Sequence, residues 1–234
     1  MRFVAETGST NADLMALAGE GLAEGTWLRA GRQVCGRGRL GRSWESPEGN
    51  LHASTLVRLR PGDPPAPTLA LVAAVAVHAL VAPLLSRGAR IKWPNDIMVG
   101  DAKLAGILLE RAGDAVIVGI GINVTGAPAT LDRPVTSLWR EGAVAVAADA
   151  GGLTERLAEL FAHWLSIWRG QGLEAVRGQW LANAHAPGTP MRASLPDGAT
   201  VEGRFETMDR RGTLILRLAN GDTHAIHAGD IFLI

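Results

Sequence analysis

The sequence predicts an α+β protein in which a mixed-sheet domain precedes a small β-barrel. The chain has 234 residues, enough for one large domain and a small module. Strand-like and helix-like segments follow one another through residues 1–185. After Pro187-Gly188 the pattern changes to about five short strands joined by tight turns, which is typical of an SH3-like barrel. We therefore expect domains at residues 1–185 and 186–234.

Alternating or mostly apolar segments bounded by turn residues predict the strands of the first domain. These strands span residues 1–6, 27–32, 50–59, 90–93, 97–99, 103–110 and 115–124. Amphipathic or apolar runs predict helices over residues 12–18, 68–85, 153–170 and 173–182. The barrel strands are expected at residues 191–195, 201–208, 213–218, 223–226 and 231–234. A loop is expected from Pro128 to Trp139.

The longest uncharged run, residues 64–86, resembles a membrane span in composition but is interrupted by prolines. Its unbroken helical part, residues 68–82, is shorter than the roughly 20 residues that a bilayer requires. We therefore interpret it as a core helix and expect no membrane partner.

Composition and charge exclude several classes of protein. The 23 basic residues balance the 23 acidic ones, so no global field would hold nucleic acid or an acidic membrane. The one cysteine, Cys35, excludes an internal disulfide framework and fits a reducing compartment. Arg2, Glu6 and Asp13 interrupt the first residues, which excludes a recognisable signal peptide. These features predict a cytoplasmic protein.

The segment Gly36-Arg37-Gly38-Arg39-Leu40-Gly41-Arg42, followed by Trp44, has the composition of a loop that closes over an anion. Its glycines leave room for close approach, and its arginines suit phosphate and carboxylate oxygens. It matches the G-x-G-x-x-G dinucleotide pattern, but that pattern requires a helix directly after it, and Pro47 and Gly49 precede a strand here. A Walker loop is excluded because no Gly-Lys-Ser/Thr is present.

Lysine is almost absent from the chain. Among 23 basic residues only Lys92 and Lys103 are lysines, and they lie eleven residues apart. Genome base composition explains the abundance of arginine but not the position of these two lysines. Because an ammonium is a compact donor that arginine cannot replace at a tight site, both are candidate site residues.

Two further groups are candidates for ligand contact. Ser9, Thr10 and Asn11 suit a helix N-cap, and the same helix terminus could bind a polar ligand group. Asn123 lies beside Gly119 and Gly121 in an apolar strand, where glycine permits close approach of a ligand. No nucleophile elbow and no metal-ligand spacing is evident. An enzyme of this sequence would therefore work by positioning its substrates and stabilising charge.

Four motifs together are similar to those of biotin protein ligases, and they occur in that family's order. They are the glycine-arginine segment with Trp44, Ser46-Pro47 and Gly49-Asn50; Lys92-Trp93-Pro94-Asn95-Asp96; Lys103-Leu104-Ala105-Gly106-Ile107-Leu108; and Gly119-Ile120-Gly121-Ile122-Asn123-Val124. The resemblance covers essentially the whole chain. It implies a catalytic domain of the class II synthetase-like, biotin-lipoate ligase type, followed by an SH3-like domain.

The resemblance also implies a two-step reaction. The biotin carboxylate attacks the α-phosphate of ATP to give biotinyl-5′-AMP, and a lysine of a biotin carboxyl carrier protein domain then takes the biotinyl group. ATP and biotin are the implied substrates, with Mg²⁺ whose ligands stay unassigned. The sequence begins at the catalytic domain, so we expect no DNA binding. The oligomeric state is left open between monomer and homodimer.

The resemblance assigns roles to individual residues. Lys103 and Arg39 are the implied catalytic residues, with Lys103 on the biotin carboxylate and the forming acyl phosphate. The implied biotin-binding residues are Ser9, Thr10, Asn11, Gln33, Arg37, Gly38, Arg39 and Lys103. The implied ATP or adenylate contacts are Arg37, Arg39, Arg42, Trp44, Asn95 and Asn123, with Trp44 near adenine. Lys92 and Asp96 are expected to form a supporting charge pair, and Cys35 departs from the alanine usual in the family.

Three alternatives remain open at this point. The first is lipoate or octanoate transfer on the related fold. The second is a non-catalytic ligand-binding protein that uses the terminal barrel as an interaction module. The third is nucleic-acid binding by the arginine loop, which would depend steeply on salt.

Overall fold

A seven-stranded mixed sheet forms the centre of the protein. The structure is a computed structural model that describes residues 1–128, 134–143 and 149–234. The strands are β1 (Arg2–Thr7), β2 (Trp27–Gln33), β3 (Leu51–Arg58), β4 (Arg90–Lys92), β5 (Asp96–Val99), β6 (Ala102–Ala112) and β7 (Ala115–Ile122). Their order is β1-β2-β3-β7-β6-β5-β4. Only the pair β1 and β2 is parallel among the described strands.

Helices cover both faces of this sheet. They are α1 (Thr10–Gly19), α2 (Leu69–Val81), α3 (Ala150–Gln171) and α4 (Leu173–Ala182). Successive side chains of a strand point to opposite faces. On β7, Val116 and Val118 join the main core with α2 and α3, whereas Ile117 joins a smaller core with Leu14 of α1.

A second sheet of five antiparallel strands follows. Its strands are β8 (Pro190–Ser194), β9 (Thr200–Met208), β10 (Leu214–Arg217), β11 (Thr223–Ile226) and β12 (Asp230–Leu233), in the order β11-β10-β9-β8-β12. Phe205 of β9 packs edge-on against Trp180 of α4, with ring centroids 6.5 Å apart. Apolar side chains of this sheet belong to the same core cluster as α2 and α3. The mixed sheet followed by a small β-sheet domain confirms the predicted α+β class.

The predicted elements differ from the structure mainly at their ends. The helix predicted over residues 68–85 is α-helical only over Leu69–Val81, with 3₁₀ turns at Ala66–Thr68 and Ala82–Leu84. Pro67 and Pro83 lie inside these turns, where the missing N–H and fixed φ of proline are tolerated.

The apolar helical stretch Ala66–Leu84 is long and apolar enough to cross a membrane by length and composition alone. In the structure most of α2 is buried in the core between the sheet and α3. This is the position of a core helix. Part of the loop expected from Pro128 to Trp139 lies outside the described residues.

Candidate functional site

The site lies on the face of the sheet that carries α1, where small residues leave a hollow. On this face of β7, Ile117 is covered by α1, but the next two positions are Gly119 and Gly121. The glycine-arginine segment lies over the hollow. Twenty-one residues line it, including all eight of the predicted biotin contacts. The free space inside is about 80 Å³, room for only a few water molecules.

Trp44 fills much of the hollow. Its indole lies on Gly121 of β7 and on Gly106, the residue paired with Gly121 on β6. A Cβ at Gly121 would lie 2.5 Å from the indole ring, so only glycine permits this approach. The indole nitrogen is buried and has no hydrogen-bond partner in the part of the chain that the structure describes. A larger ligand therefore requires Trp44 and the segment above it to move.

Lys103 is the cation on the floor of the site. It is 7% exposed, and its ammonium group forms an ion pair with Asp96 and lies 5.5 Å from the centroid of the Trp44 ring. Lys92 lies 3.6 Å from the other oxygen of Asp96 and donates a hydrogen bond to the Ile231 carbonyl. The expected pair of Lys92 and Asp96 is thus present, and Asp96 also holds Lys103, which the sequence did not indicate.

The N-terminus of α1 forms one wall. Ser9, Thr10 and Asn11 are each no more than 5% exposed. The backbone N–H of Thr10 donates to Gln33 Oε1 at 2.9 Å, and the Gln33 amide donates to Ser46 Oγ at 3.0 Å. These bonds join the helix terminus to the end of β2 and to the segment over the site.

We call residues 36–46 the lid. Arg37 pairs with Glu110 of β6 at 3.1 Å. Arg39 donates to Asn95 Oδ1 and to the Gly229 carbonyl, both at 3.3 Å, and Arg42 forms an ion pair with Asp230. The lid is therefore held at one side by the central sheet and at the other by the C-terminal sheet.

Burial lowers the pKa of the Arg39 guanidinium, and the nearby carboxylates of Asp230 and Asp96 oppose that shift. The group still carries its charge at neutral pH, because an arginine side chain is not deprotonated in proteins. The site therefore offers one buried ammonium and three guanidinium groups to an anionic ligand.

Asn123 lines a smaller cavity on the other side of Trp44, and not the main hollow. It follows the end of β7 at Ile122, so the strand is shorter than predicted. Its amide nitrogen donates to the Thr136 carbonyl at 3.0 Å, while its buried Oδ1 has no hydrogen-bond partner among the described residues. The Asn123 oxygen can thus accept a hydrogen bond from a ligand that reaches this cavity.

Most of the predicted site residues line the main hollow. Three side chains that contact the site were not predicted. Lys92 lies outside the main hollow, in the neighbouring cleft toward β12. Glu110, Asp230 and Ser54 were not predicted, although they contact the lid or the N-terminus of α1. Glu110 ends the run after Lys103 and could have been noticed there. Asp230 lies 188 residues from its partner Arg42, and no local pattern connects the two.

Among the described residues no three His, Cys, Asp or Glu side chains cluster in a way that could hold a metal ion. The two carboxylates at the hollow, Asp96 and Asp230, are paired with Lys103 and Arg42. This donor set does not fit a metal ion held by the protein alone.

Family models match both parts of the chain. Residues 9–126 match the biotin/lipoate A/B protein ligase family, and residues 190–234 match the biotin protein ligase C terminal domain. A biotin–[acetyl-CoA-carboxylase] ligase of Paracoccus denitrificans is 37% identical over 239 residues, covering 98% of each chain. The enzyme of that name from Mycobacterium tuberculosis is also 37% identical, over 97% of this chain and 86% of its own.

A solved structure has the same fold. The biotin protein ligase from Aquifex aeolicus in complex with biotin and ATP superposes with a TM-score of 0.84. It is 25% identical in sequence, and the match covers 99% of this chain and 97% of that one.

Proposed function

The chain belongs to the biotin/lipoate A/B protein ligase family, within its biotin protein ligases, and from that premise we infer how its residues divide the work. The reaction is ATP-dependent: biotin is activated as biotinyl-5′-AMP and transferred to a protein lysine. One observation carries the assignment of the site. The buried ammonium of Lys103 and the guanidinium groups of three arginines line a single hollow. This hollow is large enough for the substrates only when its lid moves.

In the first step a carboxylate oxygen of biotin attacks the α-phosphorus of ATP, and pyrophosphate leaves. Two anions must approach each other, so the protein has to neutralise charge where the new O–P bond forms. We assign this role to Lys103 and Arg39, which face the hollow from the floor and from the lid. Asp96 holds the Lys103 ammonium in place.

The biotin head is assigned to the wall of Ser9, Thr10, Asn11 and Gln33, which presents oxygen and nitrogen atoms to the hollow. Arg37 and Gly38 close over it from the lid. The adenine is assigned to the cavity that Trp44 shares with Asn123, because the free Asn123 oxygen can accept a hydrogen bond from an exocyclic amino group. Arg42 and Asn95 complete the nucleotide side.

In the second step the uncharged amine of the acceptor lysine attacks the acyl carbon, and AMP leaves as the C–O bond breaks. The attacking group belongs to the partner, which explains why the chain needs no nucleophile of its own. We propose a biotin carboxyl carrier protein domain as this partner. Because the described side chains do not fit a protein-held metal, Mg²⁺ would arrive with the ATP phosphates and supply further neutralisation of their charge.

We further propose a division into domains, a compartment and an oligomeric state. Residues 1–185 would form the catalytic domain and residues 186–234 the SH3-like domain. The protein would work in the cytoplasm as a monomer or homodimer, without DNA binding. The absence of net charge supports the last point, because no basic face would track a phosphate backbone.

The test is incubation of the protein with biotin, ATP, Mg²⁺ and a carrier domain. We expect pyrophosphate release and a carrier whose mass rises by one biotinyl group. A carrier with its acceptor lysine changed to arginine is the control and should gain no mass. Modification by lipoate or octanoate without modification by biotin would favour the transferase alternative, and absence of any turnover would favour the non-catalytic one.

A further inference from the structure

A chain of hydrogen bonds lies behind the wall assigned to the biotin head. Thr10 Oγ1 lies 2.7 Å from Ser54 Oγ, and Ser54 Oγ lies 2.6 Å from Asn11 Oδ1. The Asn11 amide nitrogen donates to Glu110 Oε2 at 2.8 Å. The other oxygen of Glu110 pairs with Arg37 at 3.1 Å. Ser54 and Glu110 do not line the hollow, so this chain reaches the wall from outside it.

The sheet brings these residues together. Ser54 of β3 is paired with Gly119 of β7, and a Cβ on Gly119 would overlap the Asn11 amide. Glu110 of β6 is paired with Ile117 of the same β7 strand, so it lies on the same face. Gly119 therefore makes the space in which Asn11 reaches both Ser54 and Glu110.

The charge of Glu110 sets the direction of every bond in the chain. A carboxylate only accepts, so the Asn11 nitrogen must face Glu110 and the Asn11 oxygen must face Ser54. That oxygen also only accepts, so the Ser54 hydroxyl donates to it. The short Thr10–Ser54 contact then requires the Thr10 proton, because each hydroxyl has a single proton to give.

With the bonds in this order, hydrogen-bond acceptors of the wall are left for a ligand in the hollow. Thr10 Oγ1 also lies 3.0 Å from Gln33 Oε1 and could donate its proton there instead. When the Thr10 hydroxyl proton goes to Ser54, the Thr10 backbone N–H, at 2.9 Å, is the one donor left to Gln33 Oε1 among the described contacts. One lone pair of Gln33 Oε1 and the lone pairs of Thr10 Oγ1 then stay available.

We propose that Ser54 and Glu110 are positioning residues that direct the Thr10 hydroxyl proton to Ser54 and away from the hollow. The wall then presents hydrogen-bond acceptors and selects a substrate head that carries N–H donors. The proposal rests on the proposed function, since the ureido ring of biotin carries two such N–H groups. When this order is lost, the Thr10 hydroxyl can donate to Gln33 Oε1. The wall then offers one acceptor fewer to the N–H groups of the ligand.

The test compares dissociation constants, by calorimetry, for biotin and for a biotin analogue methylated on its ureido nitrogens. In the parent protein biotin binds more tightly than the analogue. Ser54→Ala should weaken biotin binding about tenfold, because an acceptor is lost. The same change should alter binding of the analogue by less than about twofold, so the ratio of the two constants shrinks.

Thr55→Val is the matched control. Thr55 is the next residue of β3, on the opposite face, and its buried hydroxyl donates to the Thr26 carbonyl at 3.1 Å. Each variant loses one buried hydroxyl group, but only Ser54 belongs to the chain of hydrogen bonds behind the wall. The ratio should stay at the parent value in Thr55→Val. Equal shifts in the two variants would overturn the proposal.

Glu110→Gln supplies a second variant at a less buried position, should Ser54→Ala fold poorly. Its amide can present either end to Asn11, so the order is lost and the ratio should again shrink, while kcat at saturating biotin stays near the parent value. A parent ratio in both Ser54→Ala and Glu110→Gln would refute the positioning role.

Binding and turnover by the parent protein separate the proposed function from the positioning role of Ser54 and Glu110. A parent protein that binds no biotin and releases no pyrophosphate would contradict the proposed function itself. A parent protein that does both, combined with an unchanged ratio in the variants, would contradict only the role of Ser54 and Glu110.

Discussion

The floor and the lid of the site are held by different kinds of contact. On the floor and behind the wall, Lys103 and Ser54 are buried on strands of the central sheet and bonded to other buried groups. In the lid, Arg37 and Arg42 keep 47% and 48% of their side chains exposed while they pair with Glu110 and Asp230. Exposed ion pairs contribute only about 0–1 kcal/mol each, whereas leaving a buried charge unpaired costs several. The floor is therefore fixed and the lid can open at low cost.

The largest loss is expected at the floor. Lys103→Arg should lower the rate of adenylate formation by about 10²–10³, a loss of the size seen when one preorganised charge-stabilising donor is removed. The planar guanidinium is larger than the ammonium that contacts Asp96, and Gly106 and Trp44 surround it. Pyrophosphate release in single turnover measures the effect.

Lys92→Arg is the control, because Lys92 is the other lysine of the chain and lies outside the hollow. It should retain most of the adenylation rate. If both variants lost activity equally, or if Lys103→Arg were near normal, Lys103 would not be the special cation of the floor.

Gly121→Ala tests how closely the floor must meet Trp44. The added methyl would lie 2.5 Å from the indole, which must then move off the sheet. We expect biotin and ATP to bind about tenfold or more weakly, because the new atom occupies the hollow and overpacking displaces its neighbours. Binding is followed by the change in tryptophan fluorescence. Gly126→Ala, whose new Cβ meets no non-neighbouring heavy atom of the described residues within 4 Å, should bind as the parent does.

The floor was easier to predict from sequence than the lid contacts. Lys103, Gly119 and Gly121 lie within short motifs on adjacent strands, so local spacing brought them to notice. The order of helices and strands followed from periodicity and turn residues, and among the described residues the differences lie mainly at the element ends. The partner of Arg42 could not be predicted, because Asp230 reaches it through the packing of the second sheet on the first. The role of Ser54 likewise depends on the register of β3 against β7.

Arg39→Gly tests retention by the lid. The variant loses the bonds to Asn95 and to the Gly229 carbonyl, both made by a charged donor. We expect biotinyl-5′-AMP to escape about tenfold faster, since such bonds are the stronger ones. The escaped adenylate should label lysines of an unrelated protein added to the reaction. Arg32→Gly, an exposed residue paired only with Glu6 among the contacts described for it, should leave this labelling at the parent level.

Asp230→Asn should have a smaller effect on the same step. It removes the carboxylate that holds Arg42 and lies 3.9 Å from Arg39, but these lid contacts are partly exposed. We expect adenylate release to quicken about two- to fivefold at low salt. The difference from the parent should shrink as salt screens the pairs. A difference independent of ionic strength would show that Asp230 acts by packing and not by charge.

The smallest effect is expected from pH, and it comes from three histidines that do not line the hollow. Burial lowers the pKa of His52, His78 and His185 below the ordinary 6.5, and Lys92 and Arg90 lower that of His185 further. His52 lies on β3 with Nε2 3.2 Å from the Pro47 carbonyl, so Nε2 carries the proton, and the buried Nδ1 has no partner within residues 1–128, 134–143 and 149–234. Protonation would add a buried N–H without an acceptor.

Below pH 6.5 the unfolded chain therefore binds more protons than the folded one, and the free energy of unfolding falls as the pH falls. Above 6.5 both states hold neutral imidazoles, and the contribution is level. Each kcal/mol lost should lower Tm by about 2–4 °C for a chain of this size. His52→Gln should flatten part of the slope measured by calorimetry between pH 5 and 8 at constant ionic strength. Because the lid pairs would respond to salt and the three imidazoles to pH, varying the two separately distinguishes the lid from the fold beneath it.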